Sequence, residues 1–393
     1  MLKPETIKKC MLDAAKGKFD RKSVQNAFIH IDQTYDKVMS CLTNPLYTPK
    51  EDNQKEIIDG AHHKKREIEK PRFCPEQILH HLLIEPIKPI ILGSLYEQVY
   101  GSLPKTVKTD KNGKVHIKNN GLHAAAKQLK KWTQGKGKLY VCEADIHHAY
   151  DSVHIPTLAG MLAKKIKDKK WLRLMYKFLH YDPDPKKGKE HGLILGHYTS
   201  PWLFNFYMME FDHFVAAIPR IKYLRFVDNI FLIGKNKKKL HRAVDMIVKY
   251  LKKNLKLELN RSLQVYRFEY ENRIVNGKRR LKGRAVNALG FVIHCDRVGL
   301  RKGILNGIRR KAAKLKKKEF AETWHDASSM LSRLSWIRGS DTYKYAYRNI
   351  FPNINVKRLK SKESAHSKRI APIIEERRKI IYDGLDKSAR LAA

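Results

Sequence analysis

Acidic residues are scarce in this chain. Its 393 residues hold 39 Asp and Glu against 81 Lys and Arg, a formal net charge of +42 at pH 7. The excess runs along the whole length and is not confined to one tail. A compact body with that charge repels itself unless a polyanion neutralises it, so nucleic acid is the first partner to expect. Cysteine is sparse as well. Cys10, Cys41, Cys74, Cys142 and Cys295 are an odd set with no CxxC pair, which excludes a disulfide framework or a zinc knuckle and suits a reducing cytosol. No stretch approaches 18 uncharged apolar residues, so no membrane span is expected. The start, "MLKPETIKKC", lacks the long apolar core of a signal peptide. A cytoplasmic location follows as the expectation. Internal repeats and low-complexity tracts are missing too. With 42% hydrophobic residues the chain is not broadly disordered, and its length suffices for two or three compact subdomains.

What is present is a mixture of helical and strand-like periods. Residues 1–60 read as helical and polar. A strand, a Pro-punctuated loop and a helix follow in "KKREIEKPRFCPEQILHHLLIEPIKPIIL". "KTDKNGKVHIKNNG" reads as a basic hairpin with Asn112-Gly113 as its turn. "GLHAAAKQLKKWTQ" has a helical pattern, "KLYVCEADI" is a β-rich run ending on an acid, and "IPTLAGMLAKKIKDKKWLRLMYKFL" is a helical pair. "TSPWLFNFYMMEFDHFVAAI" predicts a long helix buried on most faces. Strand signals continue to about Ile293, and the remainder is helical and very basic. Strands among helices, then a helical tail, predict an α+β core with a helical appendage.

Two acids stand out. In "YLRFVDNIFLIG", residues 223–234, Asp228-Asn229 separates two apolar strand-like runs. Asp and Asn tolerate left-handed backbone, so a two-residue turn alone would explain the pair. Two facts point further. Arg225 introduces the turn acid, and buried strands would deliver it rigidly, as a metal site requires. Upstream, in "YVCEADIHHAYDS", Asp145 also ends an apolar β run. The two are far apart in the chain, so adjacency would have to come from neighbouring strands. Carboxylates brought together resist ionising unless cations lie between them. Mg²⁺ accepts carboxylate, water and phosphate oxygens, and a pair of such ions suits nucleotidyl transfer.

"ADIHHAYDS", "GLILGHYTSPWLFNFYMMEFD" and "YLRFVDN", in that order, resemble the palm motifs of reverse transcriptases, specifically the bacterial group II intron and retroelement lineage. "REIEKP" at 66–71 and "YGSLPKT" at 100–106 resemble its fingers motifs. "NALGFVIHCDRVGLRKG" at 287–303 resembles its primer grip, and "SRLSWIRGSDTYKY" at 332–345 its thumb helix. The resemblance spans about residues 60–350. It implies a right-hand polymerase: a helical N-terminal extension at 1–60, fingers and an antiparallel-sheet palm at 61–298, and a basic helical thumb and tail at 299–393. It implies that Asp145 and Asp228 bind two Mg²⁺ ions, with Mn²⁺ able to substitute, and that the Ile146 carbonyl is a third oxygen. Tyr150 would pack under the incoming sugar and favour deoxynucleotides. Gly196 would let the backbone pass close to nucleotide and template. Arg66, Lys70 and Arg72 would clamp the triphosphate, with no choice among them. The implied partners are an RNA template, the DNA product and deoxynucleoside triphosphates, with a protein partner or a second copy left open.

The pattern also departs from the family's. Asn229 stands where a second acid is usual, so activity is expected to survive, weakened. Leu195 replaces the usual Gln before Gly196. An aliphatic residue there accompanies low fidelity in gene-diversifying retroelements, but those normally read Ser-Gln where this chain has Ser200-Pro201. The departures point toward reverse transcriptases of antiphage defence that work with a noncoding RNA. A diversifying polymerase and a catalytically weak RNA-binding protein on the same fold are the alternatives. No ribonuclease H-like acidic cluster and no HNH pattern follows the thumb, so a polymerase and no more is expected.

In "KGILNGIRRKAAKLKKK", residues 302–318, Ile304, Ile308, Ala312 and Leu315 share one helical face. Arg309, Arg310, Lys314, Lys317 and Lys318 lie largely away from it and are candidates for a phosphate backbone. His62-His63, His80-His81 and His147-His148 lack companions at ligand spacing, so packing or RNA contact is expected of them and not zinc.

Overall fold

The computed structural model describes residues 4–18, 21–50, 53–58, 65–109, 115–134, 137–184, 186–275, 278–318 and 321–391. The fold is mixed, with a central four-stranded sheet in the order Ile221–Phe226, Asn229–Gly234, Tyr140–Asp145, Gln264–Arg267, antiparallel at every pairing. Its two middle strands are the apolar runs picked out above. Side chains alternate faces along a strand, so a run that is apolar throughout must be covered on both sides. Cys142, Ala144, Ile230 and Leu232 enter one core. Val141, Phe231 and Ile233 enter another.

The first core is built on the helix Thr199–Ala216, of which Trp202 to Met209 is buried without interruption. The helix Lys237–Tyr250 and the helical pair Ile155–Lys165 and Lys169–Phe178 join it. So do the N-terminal helices Pro4–Ala15, Lys22–Ile29 and Ile31–Thr43. The second core packs the helix Leu122–Thr133 and the small sheet Val286–Ala288, Phe291–Ile293, Val298–Leu300 on the other face. Three helices join it, Lys302–Lys316, Trp324–Arg338 and Tyr343–Asn349, and Leu359 of the helix Val356–Leu391 enters it too. The long helix Val356–Leu391 lies along Trp324–Arg338 and also touches Lys22–Ile29 and Ile31–Thr43.

Two elements differ from expectation. Within the stretch read as helical, Asn53–Ile58 is a strand and pairs antiparallel with Lys65–Lys70, Ile57 opposite Arg66. The hairpin link is one residue earlier than the sequence suggested. Phe226 pairs with Asn229, so Val227 and Asp228 form the loop and Asn229 opens the next strand. The reason is register: Asn229 also faces Asp145 across the sheet, and two ladders hold it extended. The basic hairpin is present as Thr106–Thr109 against Val115–Lys118, and its Asn112-Gly113 turn lies outside the described residues. Among the described residues no helix is long and apolar enough to cross a membrane.

Candidate active site

Asp145 ends its strand directly opposite Asn229, and the Ile146 N–H donates to the Asp228 carbonyl at 3.2 Å. On the other side the Asn260 N–H donates to the Asp145 carbonyl at 2.7 Å and the His147 N–H to Glu258 at 2.9 Å. The end of the strand is thus pinned from both flanks. The two acids that sequence reasoning singled out sit at adjoining strand ends. Both are part-exposed, while Ile146 between them is buried.

The loop bearing Asp228 is strained and held. A two-residue hairpin loop needs positive φ at its first position, normally from Gly or Asn. Here Val227 supplies it, with φ +56, a conformation β-branched residues seldom adopt. Three contacts keep it there. Arg225 Nη1 donates to the Val227 carbonyl at 2.9 Å. The Tyr100 N–H donates to the Arg225 carbonyl at 3.1 Å. Gly101 passes so near that a Cβ on it would lie 2.4 Å from the Val227 nitrogen.

The rest of the Arg225 guanidinium is buried in polar company. Nε and Nη2 donate to the two oxygens of Asp212, and Nη2 also donates to Asn205 Oδ1 at 3.2 Å. Tyr223 adds its hydroxyl to Asp212 Oδ1 at 2.6 Å. The Asn205 amide in turn donates to the Gly101 carbonyl at 3.2 Å, so one network spans helix, strand and loop.

Asn229 Nδ2 donates to Asp228 Oδ1 at 2.8 Å. The residue in place of a second acid therefore engages the first one. Tyr150 packs its ring 5.2 Å from Phe204. Burial raises its hydroxyl pKa and the charge of Asp228 raises it further, which places the phenol within the field of Asp228. The Tyr150 carbonyl accepts from Leu193 N–H at 2.8 Å, tying this segment to the one that carries Leu195 and Gly196.

Gly196 has φ +108, and a Cβ there would lie 2.0 Å from the Glu69 carbonyl oxygen. The structure shows a backbone-to-backbone approach, with the Glu69 N–H bound to the Leu195 carbonyl at 2.8 Å. That seam holds the Glu69 end of the strand Lys65–Lys70 beside Gly196, while Arg66 lies toward the other end, opposite Ile57. Lys70 and Arg72 are exposed.

On the helix Lys302–Lys316, Ile308, Ala312 and Leu315 are buried as its periodicity predicts, with Ile304 packed against them. Arg309, Arg310, Lys314, Lys317 and Lys318 are exposed. Lys318 differs from the other four, because its Nζ lies 2.6 Å from Asp326 Oδ2, with Lys311 on Oδ1 at 2.7 Å. Of the paired histidines, His80 and His81 are buried. His80 Nδ1 lies 3.2 Å from Thr199 Oγ1, and His81 stacks on Tyr198 at 3.7 Å. His147 and His148 are exposed, and His62-His63 lies outside the described residues.

Sequence reasoning missed Gly101, Asn205 and Asp212. A signal for Asp212 existed: an acid within a helix read as buried on most faces, and Arg225 within an apolar strand, each require a partner.

Residues 78–293 match the family described as reverse transcriptase (RNA-dependent DNA polymerase). Over 220 residues the chain is 28% identical to the group II intron-encoded protein LtrA of Lactococcus lactis, covering 55% of this chain and 33% of LtrA. Over 139 residues it is 24% identical to an uncharacterized 91 kDa protein in the cob intron of Schizosaccharomyces pombe, covering 35% and 16%. The chain thus spans a third or less of these curated relatives. Among solved structures it is similar to telomerase from Candida albicans with a TWJ fragment of telomeric RNA, at TM-score 0.43 and 9% identity over 92% of this chain and 63% of that one. Apo telomerase from Candida tropicalis gives TM-score 0.43 and 12% identity over 72% and 52%.

Proposed function

The chain belongs to the reverse transcriptase family, and from that membership we propose that it is an RNA-directed DNA polymerase acting by two-metal nucleotidyl transfer. The observation that carries this reading is the meeting of Asp145 and Asp228 at adjoining strand ends, joined by the Ile146 to Asp228 hydrogen bond. The donor set suits Mg²⁺: two carboxylates and the Ile146 carbonyl are hard oxygens, and Asp228 keeps Oδ2 for an ion while Asn229 holds Oδ1. Two Mg²⁺ ions held by these oxygens would supply Lewis-acid activation of the primer hydroxyl and charge stabilisation for the leaving pyrophosphate.

The chain's own residues do the positioning. Arg225 and Gly101 fix the loop that presents Asp228. Asn229 restrains the carboxylate. Tyr150, packed on Phe204, lies under the deoxyribose. Leu195 and Gly196 border the nucleotide, and Arg66, Lys70 and Arg72 offer cations to its phosphates. Arg309, Arg310, Lys314 and Lys317 offer a phosphate-binding face, with Lys318 drawn back to Asp326. In this reading residues 61–298 act as fingers and palm, 299–393 as thumb and tail, and 1–60 as an added helical layer. The charge of +42 supports an RNA template, which we take to be a noncoding RNA in antiphage defence.

The test supplies purified protein with an RNA template, a primer, labelled deoxynucleotides and Mg²⁺. Extension is expected from the wild type and not from Asp145→Asn or Asp228→Asn, both of which should still bind RNA. Extension that survives either substitution would overturn the reading. Sequencing the RNA that co-purifies from cells, with plaque assays of wild type against Asp145→Asn, tests the defence role.

A further inference from the structure

Away from the aspartate pair, we propose that His154, Glu190 and His191 form a binding site for a transition cation of the zinc class. One nitrogen from each histidine and one Glu190 oxygen lie within 4.8 Å of one another. His154 Nε2 is 3.9 Å from Glu190 Oε1, and His191 Nδ1 is 3.9 Å from Glu190 Oε2. Those gaps are too long for hydrogen bonds. Two ligand atoms bonded to one zinc ion at ~2.0–2.1 Å in tetrahedral geometry lie roughly 3.3 Å apart, so the arrangement is near what an ion would draw together.

The backbone holds the three residues in this relation. His154 and His191 are partners in an antiparallel bridge. The Ile155 N–H donates to the Glu190 carbonyl and the Gly192 N–H to the Val153 carbonyl, both at 2.9 Å. Ligand positions are therefore set by main chain, with only side-chain rotation left to complete them.

The second nitrogen of His154 is also provided for. Its Nδ1 lies 2.8 Å from Thr157 Oγ1. The same Nδ1 accepts the Thr157 N–H at 3.2 Å as the cap of Ile155–Lys165, so ligation through Nε2 would move the ring proton to Nδ1 and exchange that bond for one donated to Thr157 Oγ1. Two imidazoles and one carboxylate favour zinc over Mg²⁺, which prefers oxygen throughout. The His191 and Glu190 side chains are open to solvent, giving the ion an entry path.

A bound ion would fasten the start of the segment leading to Leu195 and Gly196 onto the first turn of Ile155–Lys165. The site stands on its own geometry, whatever becomes of the polymerase reading.

The test is Zn²⁺ titration of the full-length, chelator-stripped protein in competition with a chromophoric chelator, with a parallel thermal-shift measurement. One equivalent is expected at a Kd on the order of micromolar or tighter. His191→Ala and Glu190→Gln should each weaken it at least tenfold, and His154→Asn, which preserves a helix-capping side chain, should do the same. Zn²⁺ should raise the melting temperature of the wild type and not of His191→Ala, and equal Mg²⁺ should not replace it. Asp145→Asn should bind the equivalent unchanged. No stoichiometric binding, or binding undiminished in His191→Ala, would overturn the proposal.

Discussion

The guanidinium of Arg225 meets the carboxylate of Asp212 edge to edge, Nε to Oδ1 and Nη2 to Oδ2 both at 2.7 Å, with neither side chain exposed. Breaking such a pair from one side leaves a buried charge unpaired, at a cost of ~3–5 kcal/mol. Arg225→Ala and Asp212→Ala are each expected to lose that much in urea unfolding. Arg225→Met paired with Asp212→Leu should recover much of the stability. It should not recover primer extension, because Nη1 also holds the Val227 carbonyl.

Gly101→Ala and Gly196→Ala place a methyl group against main chain, Val227 N in one case and Glu69 O in the other. Neither backbone can rotate aside as a side chain would. Each substitution is expected to lower extension by about tenfold or more, given what a displacement of ~1 Å does to positioned groups, while RNA binding in a filter assay stays within about twofold.

Asn229→Ala removes the amide that restrains Asp228. A hydrogen bond to a charged group contributes ~1.5–3 kcal/mol, so the Mg²⁺ concentration for half-maximal extension should rise about tenfold. An unchanged Mg²⁺ titration would count against the restraining role.

His80 and His81 make stability depend on pH. Burial lowers both pKa values, His80 well below the usual 6.5 and His81 to about 4. The folded state then binds fewer protons than the unfolded state between about 4 and 6.5, so stability must fall as pH drops through that window. Each histidine contributes at most ~1.4 kcal/mol per pH unit there. His81→Phe keeps an aromatic ring against Tyr198 and should flatten the slope measured by thermal unfolding from pH 7 to pH 5.

Lys314 and Lys318 sit on the same basic segment and should respond differently. Lys314→Ala should weaken RNA binding and reduce its salt slope by about 1. Lys311 and then Lys318 hold the Asp326 carboxyl below its ordinary pKa, and Asp326 also closes a capping box with Thr323. Lys318→Ala should therefore lower the melting temperature and leave the salt slope nearly unchanged.

The aspartate pair and the two-faced sheet were legible because each rests on a periodic signal: apolar runs ending on an acid, covered on both sides. The basic helix was legible for the same reason, with Ile308, Ala312 and Leu315 on one face. Sequence patterns could not show which backbone meets which. The place of Val227 in the loop depends on Asn229 being claimed by two ladders at once. The neighbour of Gly196 proved to be Glu69, and that of Gly101 proved to be Val227. Lys318 looked like its neighbours until its partner on the following helix was located. The meeting of His154 with Glu190 and His191 depends on a bridge between two loops that carry no periodicity.

The joint between Gly196 and Glu69 has a consequence for how this protein can vary. Where side chains interlock, a bulkier residue on one surface is offset by a smaller one opposite. Here the opposing surface is a peptide carbonyl, which has the same size whatever amino acid occupies the position. Drift at this glycine therefore has no compensating substitution across the joint, and relief would require the whole strand Lys65–Lys70 to retreat.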